Sequence, residues 1–70
     1  MIQLRCERID RDWSLEYVAK KIGVTKTAIH NIETGKRQGS LGLWDALEDL
    51  FGIDQRTLRK QNTKKEQEKQ

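Results

Sequence analysis

The apolar residues of this 70-residue chain recur every three or four positions rather than in alternation, the spacing of helices that bury one face. The clearest run lies between Ser14 and Gly35. Leu15, Val18, Ala19 and Ile22 fall at i, i+3, i+4 and i+7, with Ser14 as N-cap before them and Gly23 after them. Thr25 offers a second N-cap, Ile29 and Ile32 supply the buried side of a helix over 26–33, and Gly35 ends it. Upstream, Ile2, Cys6, Ile9 and Trp13 share helical spacing while Leu4 stands off that register, which predicts a first helix over residues 2–11. Downstream, Ser40 can cap a helix from Leu41 to Phe51 that carries Leu43, Leu47, Leu50 and Phe51 on one face, with Trp44 beside them. Gly42 in its first turn weakens that helix by up to about 1 kcal/mol relative to alanine. Asp54 can cap a short fifth helix to Lys60 in which Leu58 is the large apolar residue. The pattern predicts an all-α fold of five short helices in one domain over residues 1–60. Segment 61–70 has no apolar residue, cannot offset its chain entropy, and is expected to be disordered.

The second and third helices leave Lys26, Thr27, His30 and Asn31 on the outer side of the 26–33 segment. Two helices, a short turn and a polar outer face are what a helix-turn-helix DNA reader needs. Each base pair shows a distinct donor and acceptor pattern in the major groove. Lys26 suits guanine O6 and N7, Asn31 suits adenine N6 and N7, and Thr27 suits a thymine methyl or a phosphate. On residue type alone the same side chains would serve as ordinary solvated helix surface. Ser14, Thr25, Lys36, Arg37 and Gln38 are candidate phosphate contacts, since hydroxyls, helix starts and basic side chains position a protein without reading sequence. The loop 36–40 taken alone is equally consistent with a solvated connector.

Composition narrows the classes. Only 34% of residues are apolar and 36% are charged, so nearly every apolar side chain is needed in one small core. The net charge of +3 is a mild bias, but its distribution is uneven. From Ser14 to Trp44, Lys20, Lys21, Lys26, Lys36 and Arg37 outweigh Glu16 and Glu33, whereas Asp45, Glu48, Asp49 and Asp54 follow without a base among them. That asymmetry would orient the molecule towards a polyanion. The single cysteine, Cys6, excludes an intrachain disulfide, suits a reducing cytosol and reads as a small core residue. No apolar run approaches membrane-spanning length, so a soluble intracellular protein is expected. There is no nucleophile–histidine–acid arrangement, no metal-ligand spacing around His30 and no glycine-rich phosphate loop. Neither an enzyme nor a cofactor is expected.

Residues 7–53 resemble the Xre family, the helix-turn-helix domain of phage repressors and Cro proteins. The most specific stretches are Val18-Ala19, then Ile22-Gly23-Val24-Thr25, then Ile32-Glu33-Thr34-Gly35-Lys36-Arg37. The resemblance implies a lambda-repressor-like fold of five helices with the second and third as the DNA-binding pair. It implies an ion pair between the positions of Arg8 and Glu33, tying the first helix to the third, and a bacterial or phage-encoded protein of the cytoplasm. Three positions depart from the family pattern. Leu15 replaces a glutamine that helps contact DNA, Gly39 stands where a proline often precedes the fourth helix, and Glu48 replaces a small alanine.

The expected function is a sequence-specific transcriptional regulator, a repressor, reading a palindromic operator in double-stranded DNA as a homodimer. Phe51, Ile53 and Leu58 are the candidate dimer surface, or else they close the monomer core. The alternative is a protein-interaction module, antitoxin-like or antirepressor-binding, with DNA binding secondary and the terminal segment folding on a protein partner.

Overall fold

The computed structural model describes residues 1–61; the rest of the polar segment assigned to disorder, 62–70, lies outside the described residues. Five helices follow in order: α1 Gln3–Asp10, α2 Leu15–Ile22, α3 Lys26–Thr34, α4 Leu41–Phe51 and α5 Gln55–Arg59. Among the described residues there are no strands, only an isolated bridge. The helix starts follow capping chemistry. Ser14 Oγ accepts from Tyr17 N–H at 2.9 Å, Thr25 Oγ1 from Ala28 N–H at 3.1 Å and Ser40 Oγ from Leu43 N–H at 3.2 Å. Asp54 Oδ1 accepts from Arg56 N–H at 2.7 Å. Between α2 and α3 the chain reverses at Gly23, whose φ of 79° is the left-handed conformation that costs glycine nothing.

α1 is closed differently at both ends. No side chain caps its start; the Gln3 N–H instead donates to Lys60 O at 2.7 Å, and Ile2 forms an antiparallel bridge with Gln61. One of the orphan N–H groups of a helix start is thus satisfied by a carbonyl just beyond α5. At its other end Asp12 takes the left-handed role usually given to glycine, with φ 59°.

The core joins all five helices: Ile2 and Leu4 from the start, Val18 and Ala19 from α2, Ile29 and Ile32 from α3, Trp44, Leu47 and Phe51 from α4, and Leu58 from α5. One expectation about this core needs revising, and one pair of alternatives narrows. Leu4, placed off the apolar register of the first helix, is fully buried, while Ile9, placed on it, is 45% exposed. Ile2 precedes the helix rather than belonging to it, and α1 packs against α5, which turns the Leu4–Arg8 side inward. The alternatives concern Phe51, Ile53 and Leu58. Phe51 and Leu58 are 5% and 0% exposed within a single chain, so they close the monomer core, and only Ile53 is left half-buried at its edge.

Two of the family departures have local physical reasons. Glu48 is half-buried and its Oε2 accepts from Gln55 N–H at 3.3 Å, helping to cap α5 as an alanine could not. Gly39 has φ 78°, and a Cβ there would lie 3.0 Å from Leu43 Cδ2 and 3.1 Å from Trp44 Nε1. Glycine is therefore needed both for its backbone angle and for the close approach of the loop to α4.

Candidate nucleic-acid interface

The interface is built on α3, which α2 supports from behind. Ile29 and Ile32 are buried, which turns Lys26, Thr27 and His30 fully outward and leaves Asn31 half-buried at the edge of that face. Nine residues make a helix about 13 Å long, so its first two turns are the part a major groove of about 12 Å width can admit. Lys26, Thr27 and Asn31 lie within those turns. The Asn31 side-chain amide makes no hydrogen bond with a described residue, whereas its backbone carbonyl accepts from Lys36 N–H at 2.9 Å, Arg37 N–H at 3.2 Å and Thr34 Oγ1 at 3.4 Å. The amide therefore retains both donor and acceptor capacity for an outside partner.

The electrostatics of this face follow from where Glu33 goes. It is the acidic residue of α3, and its side chain is 3% exposed. Arg8 Nε donates to Glu33 Oε2 at 2.7 Å and Arg8 Nη2 to Oε1 at 3.1 Å, a two-pronged pair, while Arg8 Nη1 donates to Trp13 O at 2.8 Å. The carboxylate that would repel phosphates is thus neutralised and faces inward. Leu15 has the same orientation. At the position where the family has a glutamine, it packs on the core and lines a hollow with Arg8, His30 and Glu33.

The phosphate candidates flank α3 on two sides. Ser14 and Thr25 are exposed N-caps, and a hydroxyl that accepts through one lone pair keeps its own O–H to donate. Glu16, exposed in the first turn of α2, is the unfavourable charge beside Ser14. Lys36, Arg37 and Gln38 are exposed in the loop after α3. That loop is anchored, since Trp44 Nε1 donates to Gln38 O at 2.7 Å and leaves the Gln38 side chain outward.

Periodicity did not single out Tyr17, which is exposed on α2 with its ring 5.1 Å from Trp13 and the Lys21 ammonium 5.4 Å above it. No apolar period marks a residue that faces solvent. Among the described residues no three His, Cys, Asp or Glu side chains are grouped to hold a metal, and no helix is long and apolar enough to cross a membrane.

Comparison with known proteins places the chain. A helix-turn-helix family model matches residues 4–58, more than three-quarters of the chain, so the chain belongs to that family. No curated protein and no solved structure matches it.

Proposed function

We propose a repressor's role, on a palindromic operator, for this chain, which belongs to the Xre-type helix-turn-helix family of DNA-binding transcription regulators. In this reading α3 enters the major groove, Lys26, Thr27 and Asn31 meet base edges, and Ser14, Thr25, Lys36, Arg37 and Gln38 hold the backbone on either side. Residues 1–60 act as one DNA-binding unit in the cytoplasm. The observation that carries the reading is the Asn31 amide, without a partner among the described residues, on a helix whose one acidic residue is turned inward and paired. One nine-residue helix offers few base contacts, so two subunits on half-sites about 34 Å apart would supply the rest. With Phe51 and Leu58 inside the core, Ile53 is the member of the candidate dimer surface that a second subunit can reach.

Selection of bound duplexes from a random pool tests this directly, followed by salt titration on the selected sequence. The expected outcome is a two-fold symmetric site whose affinity falls steeply with salt as counterions are released. Asn31→Ala should relax preference at one base position per half-site at a cost of about 1–3 kcal/mol. Equal loss on every sequence would make Asn31 a backbone contact instead. The interaction-module reading has one observation in its favour, the 73% exposure of Leu41 at the start of α4. It prevails if no duplex binds at low salt while Leu41→Ser abolishes capture of a protein partner.

A further inference from the structure

Resting on the DNA-binding reading, we infer that Arg59, at the end of α5, is a further phosphate-binding residue, seating one backbone phosphodiester against Arg37. A cleft of about 220 Å³ opens between the loop after α3, the start of the chain and α5. Its floor is apolar, from Ile2, Ile32 and Trp44, and its charged lining residues are two arginines, Arg37 and Arg59. No carboxylate lines it, and among the described residues neither guanidinium has an ion-pair partner. Like charges brought to one cleft without a counterion raise its affinity for an anion.

The position of Arg59 is held. Its guanidinium lies 4.9 Å from the centre of the Trp44 ring, and its Nη2 donates to Gln55 Oε1 at 3.2 Å. The same indole donates to Gln38 O, so one side chain fixes both the loop that carries Arg37 and the guanidinium opposite. A guanidinium has five N–H donors in a planar fork, and one bond to Gln55 leaves most of them for the two non-bridging oxygens of a phosphodiester. The apolar floor suits the carbon face of the adjoining sugar. The backbone strand is the favoured source of that phosphate because Arg37 follows directly on α3, the helix placed in the groove.

The test uses the full chain on its selected duplex, comparing wild type, Arg59→Gln and Arg59→Lys. For Arg59→Gln the slope of log affinity against log salt should flatten by about 0.9, so that a rise from 50 to 200 mM salt weakens it about 3.5-fold less than wild type. Affinity should fall equally on selected and unrelated duplexes, and Arg59→Lys should recover most of the slope. A purely structural role over Trp44 would lower the unfolding midpoint without moving the slope. Should Arg59→Gln fail to fold, Arg59→Lys is compared with wild type on duplexes carrying single neutral methylphosphonates. The inference requires one position at which the difference between the two proteins disappears. An unchanged slope with Arg59→Gln overturns it, as does finding no such position. So does a cleft that takes free inorganic phosphate, seen as an Arg59-dependent rise in wild-type Tm, with the slope unmoved. A change in sedimentation of the free chain at unchanged slope overturns it in favour of a subunit contact. If wild type binds no duplex at low salt, the DNA-binding reading falls and this inference with it, whereas wild-type binding with an unmoved slope removes the inference alone.

Discussion

Replacing Arg8 by alanine should remove about half of the folding stability, and the reason is Glu33 rather than Arg8. The pair has side chains 11% and 3% exposed, and the guanidinium makes three hydrogen bonds, two to Glu33 and one to the Trp13 carbonyl. Alanine would leave the carboxylate buried without a counterion and the Trp13 carbonyl without that donor. Stranding one member of a buried pair costs about 3–5 kcal/mol, against roughly 4–10 kcal/mol of total stability for a domain of this size. The double replacement Arg8→Met with Glu33→Leu removes the stranded charge along with the pair. It should recover most of the loss, because a well-packed apolar pair is often neutral or better. Urea titration followed by the fluorescence of Trp13 and Trp44 measures both variants, with an unchanged m-value as the check that the two states are comparable. A loss under about 1 kcal/mol for Arg8→Ala, the range of exposed pairs, would refute the claim that the pair is buried enough to matter. Failure of the double replacement to recover stability would locate the cost in lost geometry instead of stranded charge.

Three further outcomes follow from the same structure. Gly42→Ala should stabilise the protein by about 0.5–1 kcal/mol, because a Cβ there meets nothing within 4 Å, and a lowered thermal midpoint would contradict this. Gly39→Ala and Gly23→Ala both put alanine into a left-handed conformation, at about 1–2 kcal/mol each, but only the first also drives a Cβ into Leu43, Trp44 and Ile32. The urea midpoint should therefore drop further for Gly39→Ala, and equal drops would show that the loop yields without resistance. The Glu7 carboxyl is held below its ordinary value chiefly by its hydrogen bond from Arg11, at 2.8 Å, with burial opposing and Gln3 assisting. A lowered folded-state value gives stability that is fully present above the ordinary glutamate range and lost as pH falls through the folded value. Glu7→Gln should flatten the acid limb of the stability–pH curve, and an unaltered limb would assign that slope to other carboxylates.

What could be read from the residues depended on how far apart the partners lie in sequence. The starts of α2 to α5 were legible because Ser14, Thr25, Ser40 and Asp54 bond N–H groups only two or three positions ahead. The outward positions of α3 were legible for a similar reason, since burial of Ile29 and Ile32 fixes where Lys26, Thr27 and His30 must point. The inward side of α1 was not, because it is set by α5 some fifty residues away, and Ile9 was misplaced on that account. Arg8 and Glu33 are 25 positions apart, and no periodicity links them; the family resemblance alone suggested the pair. In the sequence Arg59 is one base among several after α4, and only the shared Trp44 ring brings it beside Arg37.

The bridge between Ile2 and Gln61, with the Gln3–Lys60 hydrogen bond beside it, has a practical side. The two ends of the described residues meet at one edge, and Ile2 at that edge also floors the arginine cleft. Residues 2 and 61 thus lie side by side, next to the cleft that Arg37 and Gln38 of the loop after α3 also line. The same adjacency makes the domain a candidate for circular permutation. A few glycines and serines joining residue 61 to residue 2 would let the chain be reopened between α4 and α5. All five helices would then keep their neighbours, with the new ends placed in the α4–α5 turn.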